Sequence, residues 1–93
     1  MTDWLKILDE QKRAGDEALR EVPKMLANPD ITVAQVKALF QALERQAEFV
    51  EKLKAALDGL GHDFDIVDAA GRLEDGYVNL AASAAEKLKG MRG

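Results

Sequence analysis

The sequence predicts an all-α domain, an antiparallel bundle of three helices. Three observations carry this. Apolar residues recur in steps of three and four along most of the chain. No segment alternates with period two over a useful length. Helix-starting and helix-stopping residues punctuate the chain at two interior places. Ninety-three residues make a single domain spanning 1–93. Both signs of charge are well represented beside an apolar fraction of 47%, which argues against a disordered chain.

The first helix is expected over residues 3–22. Thr2 or Asp3 can cap it, because a short polar side chain accepts from the free N–H groups of a first turn. Its apolar positions are Trp4, Leu5, Ile7, Leu8, Ala18, Leu19 and Val22. Its centre, Asp9 to Glu17, is polar apart from Ala14 and Gly15. Pro23 lacks an N–H and predicts a kink or break near Val22, with a short separate turn over residues 23–27. Asn28-Pro29-Asp30 reads as the connecting turn.

The second helix is expected over residues 33–60. Thr32 and Gln35 have the spacing of a capping box, in which each side chain satisfies the other's backbone N–H. A coiled-coil-like seam follows through Val36, Leu39, Leu43, Gln46, Val50, Leu53, Leu57 and Leu60. Phe40, Ala47 and Phe49 flank it, and Glu48 stands four residues before Lys52 as a favourable outer-face pair. Gly59 and Gly61 end the helix, with Gly61 the better left-handed cap.

Asp63 is positioned to cap a third helix over residues 63–90. Its stripe is Ile66, Ala70, Leu73, Tyr77, Leu80, Ala84 and Leu88, flanked by Val67, Ala81 and Met91. Gly71 and Gly76 each weaken a helix by about 1 kcal/mol relative to alanine. Either a loop lies at Gly71–Gly76, or the helix is continuous with glycine where another backbone comes close. The stripe keeps its phase across both glycines, which favours the continuous helix.

The second helix carries more Leu and Val than a half-polar first helix can cover. The expectation is therefore self-association, with a dimer favoured, as well as binding of another protein. The residues expected to serve it are Trp4, Leu39, Leu43, Gln46, Val50, Leu53 and Leu57. Gln46 in an aliphatic seam either fixes register or sits at the seam edge with its amide in water. Trp4 is either a plug on the end of the bundle or a binding hot spot.

Composition argues against other classes. The net charge is −4 and no third of the chain is net basic, so nothing matches a phosphate backbone. The basic tip of Lys87, Lys89 and Arg92 suits the negative end of a helix dipole. With no cysteine there is neither a disulfide nor a thiolate metal site. One histidine, His62, and the aspartates Asp63, Asp65 and Asp68 match neither a di-iron bundle nor a calcium loop, so no metal and no cofactor are expected. Ser83 is the only serine and has no neighbouring base, Gly59-Leu60-Gly61 is too short for a phosphate loop, and no catalytic residue is expected. No apolar run is long enough to span a bilayer and Met1-Thr2-Asp3-Trp4 is no signal sequence, so the expected location is the cytoplasm. The reading is a non-enzymatic protein–protein interaction module: an assembly factor, adaptor or small inhibitor. The alternative is a small helical regulator of transcription that contacts DNA or the transcription machinery.

Overall fold

The computed structural model describes residues 3–92. Three helices, α1 (Trp4–Ala27), α2 (Val33–Gly59) and α3 (Phe64–Arg92), run up, down and up, and no strand occurs among the described residues. The rod they form measures 47 × 21 × 19 Å. That length is close to the roughly 43 Å of a 29-residue helix.

Local chemistry sets each boundary. Asp3 Oδ1 accepts from the Lys6 N–H at 3.1 Å and starts α1; the alternative cap, Thr2, lies outside the described residues. At the other end Asn28 precedes Pro29, whose ring disfavours helical backbone in the residue before it, and Asn28 leaves the helix with ψ 120°. Asn28 Oδ1 then accepts from the Asp30 N–H at 2.9 Å, closing the turn. The Thr32–Gln35 capping box forms in full, with reciprocal bonds of 3.1 and 2.9 Å. Ile31, just before the cap, packs against the apolar cluster containing Val36, as a hydrophobic staple does. At the end of α2, Gly61 takes φ 77°, its N–H reaches Asp58 O, and the His62 N–H reaches Leu57 O. Those two bonds make a Schellman cap, whose left-handed residue favours glycine. The Asp63 carbonyl accepts from the N–H groups of Ile66 and Val67 as α3 begins.

Two expectations about helix continuity resolve differently. The helix does not break at Pro23, but continues to Ala27. The carbonyl deprived of its partner is that of Leu19, and both Leu19 and Pro23 lie on the exposed side, where water can replace the lost donor. The third helix is continuous across Gly71 and Gly76, as its unbroken stripe predicts. Neither glycine serves close helix approach, however. A β carbon at Gly76 would meet nothing within 4 Å, and one at Gly71 would meet only the flexible Lys54 chain.

The core has two parts. One cluster gathers Val22, Val36, Leu43, Val50, Tyr77, Leu80, Ala81 and Ala84; the other gathers Leu8, Leu53, Leu57 and Ala70. Leu73 packs against both. The main pairing is α2 with α3, and α1 lies against that pair, contributing Leu8 to one cluster and Val22 to the other. The row of α1 facing inward is Trp4, Leu8, Gln11, Gly15, Ala18 and Val22. Its middle offers an amide and two small residues, which is why the core divides there. Gln11 Oε1 is buried at this division without a hydrogen-bond partner.

The seam of α2 is consequently intramolecular. Leu43, Val50, Leu53 and Leu57 are at most 4% exposed within the single chain. The expectation that they face a partner is corrected here: α1 and α3 already cover them, and surface so covered cannot be shared with a second chain without opening the fold. The expected Glu48–Lys52 ion pair is not formed. The ion pairs among the described residues are Arg13–Asp9, Lys24–Glu21 and Arg72–Asp68, all on exposed helix surface.

Candidate functional site: the groove between the first and third helices

At Gly15, α1 lies tightly against side chains of α3. A β carbon there would overlap Leu73 Cδ1 and lie 3.8 Å from Tyr77 Cε2. Because the helix surface is flat at Gly15, the side chains of α3 sit low against it. A groove of about 500 Å³ opens along the outer side of this contact. Leu19, Leu73, Tyr77 and Leu80 supply its apolar lining, and Lys12, Asp16, Asp65, Asp68 and Arg72 supply its charged lining.

The two sides follow from helical spacing. Lys12, Gly15, Asp16 and Leu19 stand three or four apart and line one strip of α1; Asp65, Asp68, Arg72, Gly76 and Leu80 do the same on α3. Leu19 is 60% exposed, whereas Tyr77, which lines the same groove, is 3% exposed. Burial raises the pKa of the Tyr77 phenol above 10.0, since desolvation penalises the phenolate. Arg72 Nε holds Asp68 Oδ2 at 3.0 Å. Lys12 and Asp16 have no ion-pair partner among the described residues.

The groove is open along its length, and none of the charged residues lining it is buried. Compact ligands are normally oriented by a few fixed polar groups in the pocket floor. The α3 strip from Asp65 to Leu80 extends about 22 Å at the helical rise. That geometry accepts a row of side chains from a neighbouring helix. A second hollow, of about 430 Å³, lies between α2 and α3 and is lined largely by Glu44, Glu48, Glu51 and Glu74. Its acidity repels polyanions.

Of the residues expected to bind a partner, the structure leaves few at the surface. Trp4 is half-buried against the Leu8 cluster, as a plug on the end of the bundle. Leu39 is half-buried against the other cluster, and Gln46 is exposed at the edge of the seam with its amide in solvent. The groove residues Lys12, Gly15, Asp16, Leu19 and Arg72 were not among those expected. Their signal was the polar, small-residue middle of α1, which leaves a depression instead of a ridge.

Catalytic and metal candidates stay apart. Ser83 Oγ donates to Asn79 O at 3.2 Å within its own helix turn. His62 lies in the α2–α3 turn. Among the described residues no group of three or more His, Cys, Asp or Glu is placed to hold a metal ion, and no helix is long and apolar enough to cross a membrane. No known family, no characterised protein and no solved structure matches the chain.

Proposed function

We propose that this chain is a non-enzymatic protein–protein interaction module whose α1–α3 groove receives a helix of a partner chain. The observation that supports it is the placement of Leu19, 60% exposed, on an open apolar trough with charged sides. Single exposed leucines are ordinary on protein surfaces; a leucine on a concave apolar strip is a docking feature. Helix-in-groove recognition needs apolar anchors at helical spacing and a polar rim that excludes the wrong partners, and the groove offers both. Covering the exposed part of Leu19 contributes about 1–2 kcal/mol. The negative charge of the surface disfavours the alternative of a regulator bound directly to DNA.

Affinity capture from the native cell tests the reading with two variants beside the natural chain. Leu19→Glu puts a charge on the trough; Phe49→Glu puts one on an exposed position of α2 away from it. The expected result is a specific protein retained by the natural chain and by Phe49→Glu, and lost by Leu19→Glu. Capture that ignores Leu19→Glu, or recovery of nucleic acid in place of protein, overturns the proposal.

A further inference from the structure

On that reading of the groove, its occupant can be specified. We infer that it is a second copy of this chain, laid antiparallel across the first with a two-fold axis passing beside Gly15.

The first support is surface area. The chain exposes 6381 Å², whereas a monomeric protein of 10.2 kDa exposes about 5,300 Å². The excess is about 1,000 Å², and an interface of standard size removes about 800 Å² from each partner. The shape agrees. The radius of gyration is 14.8 Å, against about 12 Å for a compact domain of this length. Two rods side by side remove surface that one rod cannot remove by folding alone.

The second support is the order of charges along the groove. Helices α1 and α3 run in the same direction, and Gly15 lies against Leu73 and Tyr77. Lys12 is therefore level with Arg72, and Asp16 with Gly76, one turn further on. Along the groove Asp65 and the Asp68–Arg72 ion pair come first, with Lys12 level with Arg72, then Asp16, then the apolar pair Leu19 and Leu80. Two copies related by an axis along the rods would set Lys12 against Lys12 and Asp16 against Asp16. An axis across the rods, between Lys12 and Asp16, brings Lys12 of each copy to Asp16 of the other. It also carries Leu19 of each copy to the level of the other's Ala69, whose small side chain leaves room. A two-fold interface must satisfy both halves with one patch, and this register does so. Lys12 and Asp16 are available because neither is paired within the chain.

Light scattering and sedimentation at high micromolar concentration test the inference. The expected mass is twice 10.2 kDa, falling to the single-chain value in Leu19→Glu with the helical circular dichroism intact. Lys12→Glu weakens association about tenfold, and Lys12→Glu with Asp16→Lys restores it. A single-chain mass for the natural protein, or a doubled mass that survives Leu19→Glu, overturns the inference. So does a charge reversal that fails to rescue. The absence of native cysteine permits a second measurement that does not depend on variant stability. Lys12→Cys and Asp16→Cys chains, mixed in equal amounts and air-oxidised, should form the mixed disulfide far beyond the twofold excess over each homodimer that random pairing gives, and a 1:2:1 ratio overturns the register. A monomeric chain that still captures a different protein through Leu19 would defeat this inference and leave the proposed function standing.

Discussion

Gly15 and Gly76 line the same groove from opposite helices, yet alanine has opposite consequences at the two. Gly76 has open space where a β carbon would go. Gly76→Ala should therefore stabilise the fold by about 0.5–1 kcal/mol, the helix-propensity gain. At Gly15 the new methyl overlaps Leu73, which belongs to both core clusters and cannot turn away freely. Gly15→Ala should be neutral or destabilising by up to about 2 kcal/mol despite the same propensity gain. Urea unfolding at low micromolar concentration measures both, and equal stabilisation at the two sites would show that α1 does not press on Leu73. Tyr77 gives a second residue-scale test. Its folded-state pKa is raised, so the folded chain holds the phenolic proton more tightly than the unfolded chain. Its contribution is complete below about pH 10 and is lost as pH rises through the folded value. Tyr77 is the only tyrosine, so phenolate absorbance reports it alone. Tyr77→Phe should flatten this alkaline loss of stability. At this scale the sequence was readable where the cause was local: Gly61 as a left-handed cap depends only on its own turn. Gly15 was not readable, because its use depends on a leucine far along the chain.

Helix ends follow the same division. The capping box at Thr32 and the Schellman cap at Gly61 are built from residues within a few positions of each other, and both could be placed from spacing. Pro23 could not, because the continuity of α1 through it depends on what surrounds the orphaned Leu19 carbonyl. Pro23→Ala returns an N–H donor to that carbonyl and should stabilise the chain by about 1–3 kcal/mol. Thermal unfolding followed by circular dichroism measures this; an unchanged midpoint would mean that water already compensates the carbonyl fully. The seam of α2 was legible as a seam and misassigned in purpose. Periodicity identifies which face of a helix is apolar and says nothing about whether the covering surface belongs to the same chain. Here α3, with Ala70, Tyr77, Leu80, Ala81 and Ala84 buried, covers it. Leu53→Glu should therefore unfold the chain rather than merely dissociate it, since the side chain is 1% exposed in a single copy. Loss of helical signal in that variant, set against its retention in Leu19→Glu, separates core from interface.

Across the whole molecule, the two-part core predicts unequal stability. Helices α2 and α3 share most of the buried surface, while α1 is fixed by Leu8 at one end and Val22 at the other. Between those points α1 offers Gln11, with a buried and unpartnered Oε1, and Gly15, with no side chain. An unsatisfied buried acceptor costs about 1–3 kcal/mol, which lowers the price of releasing this stretch. Opening α1 therefore exposes less apolar area than opening α2 or α3 and requires less free energy. Native-state hydrogen exchange should find the amides from Gln11 to Ala18 least protected among helix interiors, and those around Val50, Leu53 and Tyr77 most protected. Protection as strong in α1 as in α2 would contradict the divided core. The same experiment reads the groove. The proposed association through the α1–α3 trough would cover the weakest part of the bundle, so on that proposal protection from Gln11 to Leu19 should rise with protein concentration by mass action. The amides of the α2 outer face, around Glu44 and Glu48, should not change. A concentration effect confined to α2 would place the contact on the acidic hollow instead. In the proposed dimer, the polar centre of α1, which weakens the single chain, is also the feature that shapes the contact surface.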